Sequence, residues 1–122
     1  MTSNNENSSP SVVITQVRDV DTHQARELAE NGALLLDVRE PNEWASGHIE
    51  GAIHMPLGDL NPASIPTHSP IVAVCRSGNR SSKAALELLK SGHDVVNMAG
   101  GMNAWHDAGL PTVDDRGEPG TV

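Results

Sequence analysis

Apolar residues along the chain fall into two patterns, short continuous runs and positions spaced three or four apart, and the two alternate. VVITQVRDV is β-branched and partly alternating, which predicts a strand between Ile14 and Val20. Asp21 with Gln24 forms a capping box, Ala25, Leu28 and Ala29 share one helical face, and Asn31-Gly32 supplies a left-handed stop. Residues 33–38, ALLLDV, form a run short enough and apolar enough for a strand buried on both faces. Pro41 and Gly47 frame one or two helical turns, and GAIHM reads as a short strand ended by Pro56. Three prolines then restrict LGDLNPASIPTHSP to loops and a brief turn. IVAVC, residues 71–75, is the most strand-like run. From Arg80 to Ser91, Ala84, Ala85, Leu88 and Leu89 line one helical face while Lys83, Glu87 and Lys90 take the other, and Gly92 closes the helix. DVVNM predicts a last strand, and GGMNAWHDAG a short helix carrying Met102 and Trp105, ended by Gly109 and Pro111.

Strands alternating with helices in this way imply an α/β fold, a central parallel β-sheet flanked by helices on both faces. The ends break the pattern. Residues 1–11 are rich in Asn and Ser and read as a disordered tail, and residues 113–122 are charged, rich in turn formers and read as a flexible one. That leaves residues 12–112 as one folded unit, long enough to bury about two thirds of its unfolded surface.

Composition narrows the function. Sixteen acids against eight bases give a net charge of −8, and without Phe or Tyr only Trp44 and Trp105 are aromatic. Both facts argue against nucleic acid, and the charge argues against anionic membranes. Neither a signal segment nor a membrane-spanning run is visible, so a cytoplasmic location is expected. The six histidines show no metal-ligand spacing, and one cysteine forms no internal disulfide. No metal and no organic cofactor is expected.

That single cysteine, Cys75, ends the IVAVC run and is followed at once by Arg76, Ser77, Gly78, Asn79 and Arg80. In parallel sheets, sites lie at the carboxyl ends of strands. A helix begins there whose first N–H groups lack intrahelical partners, and Gly78 permits positive φ, so residues 76–80 can curl their N–H groups into an anion nest. Nest, helix terminus and two arginines favour a thiolate over a thiol. A nucleophilic sulfur above an anion cradle suits phosphoryl transfer or sulfur transfer. The spacing is Cys-x4-Arg, one residue shorter than the loop of cysteine phosphatases, and a smaller ring suits one extra sulfur atom. The alternative of a small buried hydrophobe is the common fate of free cysteines, but it leaves two first-turn cations unexplained.

LLLDVREPNEW, GHIEGAIHMPL, IVAVCRSGNRS and GGMNAWHDAGLP, in this order and spacing, closely resemble the rhodanese family of single-domain sulfurtransferases, over about Val17 to Pro111. The resemblance implies a rhodanese-like fold and a catalytic Cys75 that carries sulfur as a persulfide. It implies that thiosulfate or a protein persulfide is the donor, and that cyanide or a low-molecular-weight or protein thiol is the acceptor. Arg76, Ser77, Gly78, Asn79 and Arg80 would bind the donor. Asp37 and Arg39 match the family's DVR segment and read as structural residues beside the site; His48, Gly51, Pro56, Gly100 and Gly101 read as loop builders, and both tryptophans as packing residues. A persulfide carrier module in a protein sulfur relay is the alternative. A cysteine phosphatase, an arsenate reductase or a non-catalytic binding domain fits less well.

Overall fold

The computed structural model describes residues 16–122. Its elements are β1 (Arg18–Val20), α1 (Thr22–Glu30), β2 (Leu34–Asp37), α2 (Pro41–Ser46), β3 (Ile53–His54), 3-10 turns at Leu57–Asp59 and Pro62–Ser64, β4 (Ile71–Val74), α3 (Asn79–Lys90), β5 (Val95–Met98) and α4 (Gly101–Asp107). The strands form one parallel sheet in the order β1-β5-β4-β2-β3. β4 lies at its centre, with Leu35 opposite Val72 on one side and Val72 opposite Val96 on the other.

Strand alternation divides the core in two. Val72 and Val74 face one layer, with Leu35, Val96, Met98, Ala25, Met102 and Trp105. Ile71, Ala73 and Cys75 face the other, with Leu36, Val38, Val95, Ala84, Ala85 and Leu88. Helices α1 and α4 thus cover one face and α3 the other. Ala84, Ala85 and Leu88 are wholly buried; the Leu88 side chain alone contributes about 2 kcal/mol by leaving water. No described helix is long and apolar enough to cross a membrane.

Element boundaries follow local chemistry. The Asp21–Gln24 capping box is formed in both directions. At the start of α2, Glu43 Oε1 accepts from Glu40 N–H at 3.0 Å. α3 begins at Asn79, one residue earlier than expected, because Gly78 takes a left-handed conformation (φ 104°) that turns the chain straight into the helix. β1 begins at Arg18; Ile14 and the 1–11 tail lie outside the described residues.

Residues 113–122, expected to be a flexible tail, run back along the end of α2. Val113 and His48 exchange backbone bonds of 2.9 and 2.8 Å, Asp115 N–H donates to Ala45 O, and Thr121 N–H donates to Ser46 O at 2.8 Å. The turn formers that suggested a tail instead close a tight return, in which Asp114 accepts from the N–H groups of Arg116 and Glu118. Gly47 makes room for it, since a Cβ there would overlap the Thr121 backbone.

Candidate active site

β4 stops at Val74 and delivers Cys75 to the carboxyl end of the central strand, with 1 % of its surface exposed. The loop then folds over the sulfur. Gly78 N–H donates to Cys75 Sγ at 3.0 Å and the Ser81 hydroxyl lies 3.3 Å from it. Burial is the largest single influence and pushes the thiol pKa up. The Ser81 hydroxyl and the N–H groups of Ser81, Gly78 and Ser77 together outweigh it, and the pKa lies below its ordinary value. The cradle thus stabilises a negative sulfur at the floor of the loop. Asn79 and Arg80 stand in the first turn of α3, where N–H groups have no intrahelical acceptor.

The start of α4 supports the loop from beneath. Met102 N–H donates to Cys75 O at 2.8 Å and Asn103 N–H to Arg76 O at 3.0 Å. Such an approach demands Gly101, because a Cβ on it would overlap Cys75 O and the Arg76 carbonyl group. The paired glycines of GGMNAW are therefore part of the site's foundation.

The two arginines differ in their surroundings. Arg76 is exposed and forms no ion pair among the described residues. Arg80 is held by Glu43 of α2 through two parallel bonds, Nη1 to Oε1 at 2.7 Å and Nη2 to Oε2 at 2.9 Å. The guanidinium lowers the Glu43 carboxyl from 4.5 to about 2, against an opposing effect of burial, and Arg80 is raised in turn. Arg80 was expected to bind the anionic donor; both of its terminal nitrogens already donate to a carboxylate.

Asp37 and Arg39 form a buried ion pair, each 1 % exposed, with Arg39 Nε and Nη2 donating at 2.9 and 2.8 Å. Arg39 Nη2 also donates to Gly47 O at 2.7 Å, which pins the end of α2. Trp44 stacks on His48 with centroids 3.6 Å apart, and on His54 at 4.8 Å. His54 is in turn bonded to Arg39 O. This assembly holds α2, and so Glu43, against the loop that carries Cys75. Among the described residues neither Asp37 nor Arg39 is hydrogen-bonded to the sulfur; their bonds run to each other and to the end of α2.

Three residues escaped sequence reasoning. Glu43 lies in the short helix framed by Pro41 and Gly47, and nothing in its neighbours marked it as the partner of an arginine 37 positions away. Ser81 follows Arg80 directly and passes for an ordinary helix residue. Asn97 sits in VVNM, and a polar side chain inside an otherwise buried strand was the signal that could have marked it. Asn97 is 4 % exposed and accepts from Ser81 Oγ.

Residues 21–108 match the rhodanese-like domain family. The chain is 39 % identical over 98 residues to the thiosulfate sulfurtransferase GlpE of Pseudomonas paraeruginosa, covering 78 % of this chain and 88 % of that protein. It is also 39 % identical over 93 residues to an uncharacterised protein of Synechocystis, spanning 52 % of that longer chain. The crystal structure of a rhodanese-related protein from Thermoplasma volcanium superposes with a TM-score of 0.75 at 30 % identity, covering 79 % of this chain and 97 % of that one. A family match over most of the described residues, joined to a shared fold and a cysteine cradle at the end of the central strand, establishes that the chain belongs to the rhodanese family of sulfurtransferases.

Proposed function

We propose that this protein moves sulfane sulfur from thiosulfate, through a persulfide on Cys75, to cyanide or a thiol. The observation that carries this reading is the set of donors converging on Cys75 Sγ, which lowers its pKa in spite of burial. A thiolate there attacks the outer sulfur of thiosulfate. A new S–S bond forms to Cys75, the old one breaks, and sulfite leaves with the bonding pair. An acceptor such as cyanide then takes the outer sulfur and leaves as thiocyanate, returning the thiolate. N–H groups of the loop hold the persulfide's charge, while exposed Arg76 draws in the anionic donor and Arg80 shares its charge between Glu43 and departing sulfite. The net negative charge opposes a distant anion, but ordinary salt screens that field beyond about 8 Å.

Mass spectrometry after thiosulfate, and again after cyanide, tests the reading. The wild type gains one sulfur atom and then loses it, and Cys75→Ser gains none. Uptake by the serine variant, or none by the wild type, overturns the proposal. Slow loading from thiosulfate with fast loading from a persulfidated protein identifies a relay carrier instead.

A further inference from the structure

Ser81 is wholly buried, and its hydroxyl lies between two acceptors, Cys75 Sγ at 3.3 Å and Asn97 Oδ1 at 2.5 Å. A hydroxyl has one proton to give. The Asn97 amide is oriented by its other end: Nδ2 donates to Asp19 Oδ1 at 3.0 Å, and its second hydrogen points to Gly78 O at 3.4 Å. Turned over, the amide would set its oxygen against a carboxylate and a carbonyl. Asp19 on β1 therefore keeps an acceptor facing Ser81 from across the sheet.

We propose that Asn97, oriented by Asp19, is a positioning residue for sulfur transfer: it competes with Cys75 for the hydrogen bond of the Ser81 hydroxyl, which is donated to the sulfur in the empty thiolate and swings back to Asn97 when sulfur is loaded. The proposal rests on the persulfide reading of the site. In the empty state the negative sulfur is the stronger, charge-assisted acceptor, and Asn97 Oδ1 loses its donor. Loading forms the S–S bond and moves the charge to the outer sulfur, under the loop N–H groups. Sγ then becomes a neutral, weak acceptor. The hydroxyl rotates back to Asn97, no proton enters or leaves, and the buried polar atoms regain partners. Asn97 thereby leaves the thiolate less tightly held and favours the loaded form.

The charged groups around the sulfur are Arg76 on the loop, Arg80 on α3, Glu40 just before α2 and Glu43 on it, both acting through Arg80, the Asp37–Arg39 pair at the end of β2, and Asp19 on β1. Residues 100–102 at the start of α4 add no titratable side chain. The substitutions below leave every one of these unchanged except Asp19.

The test reads the ionisation midpoint of Cys75 from the pH dependence of its alkylation by iodoacetamide. Asn97→Leu, close in size and without the acceptor, lowers the midpoint by about half a pH unit, about threefold in the ionisation constant. Ser81→Ala raises it, and in the Ser81→Ala background Asn97→Leu has no further effect. Asp19→Asn is a surface change that lets the Asn97 amide turn; in high salt it lowers the midpoint only while Ser81 is present. Equal shifts with and without Ser81, or an upward shift from Asn97→Leu, overturn the proposal. The second readout is the persulfide fraction at fixed thiosulfate and sulfite, which Asn97→Leu lowers about threefold. A wild type that loads no sulfur while the midpoints follow the pattern refutes the sulfur-transfer reading, and with it the hydroxyl's return on loading. A wild type that loads sulfur while the pattern fails refutes the positioning role alone.

Discussion

Replacing Glu43 by Gln removes one charge from the mouth of the cradle without changing the size of the side chain. The amide oxygen still accepts from Glu40 N–H, a 3.0 Å bond in the parent, so the start of α2 survives. What disappears is the carboxylate charge and one prong of the fork on Arg80: the amide oxygen still accepts from Nη1, a 2.7 Å bond in the parent, but an NH2 in place of Oε2 cannot accept the 2.9 Å bond from Nη2. The carboxyl is lowered from 4.5 to about 2, first by its bond to Arg80, which corresponds to a ceiling of about 3 kcal/mol. The Arg80 side chain is 34 % exposed, and screening by solvent reduces the expected effect to about 1–2 kcal/mol. A carboxyl with a depressed folded pKa binds protons more weakly in the folded than in the unfolded chain. Its stabilisation is therefore complete above about pH 4.5 and is lost as the pH falls from there toward about 2. Urea unfolding of wild type and Glu43→Gln shows a gap of about 1–2 kcal/mol near neutral pH that narrows steadily below about pH 4.5. A gap of the same size at about pH 3, or none at neutral pH, refutes the account of this ion pair. The variant also releases Arg80 toward anions, so its KM for thiosulfate falls about threefold while the protein becomes less stable.

Gly101→Ala forces the start of α4 away from the loop. Sulfur transfer falls by about tenfold or more and stability by about 1–3 kcal/mol. Gly32→Ala shares a positive φ but meets nothing within 4 Å, and in parallel assays it loses stability by about 1 kcal/mol with its turnover unchanged; equal turnover in both variants contradicts the role given to Gly101. Arg39→Met strands the Asp37 carboxylate in the interior and costs about 3–5 kcal/mol in denaturant unfolding. A cost under about 1 kcal/mol contradicts the importance of that pair.

The order of elements and the location of the cysteine were legible because they depend on neighbours in the chain. Period-two and period-3.6 apolar patterns decide strand from helix within a few residues. Gly78 permits the left-handed turn after IVAVC, and the N–H groups that meet Cys75 Sγ come from Ser77, Gly78 and Ser81, all within six positions of it. Residues 113–122 read as a tail because turn formers describe a local bend equally well whether or not the chain beyond it docks. What makes room for it is Gly47, far back in sequence.

Other features required the assembled sheet. Glu43 meets Arg80 across 37 positions and Asp19 meets Asn97 across 78. β1 neighbours β5 because of strand order, and no local pattern in a parallel sheet encodes which strand lies beside which. The sequence by itself determined that a sulfur would stand at the end of a buried strand beneath a curled loop, since both are written in adjacent residues. Only the tertiary structure decided which carboxylate would share its arginine and which amide would contest its hydroxyl, because those partners are chosen by packing across the sheet.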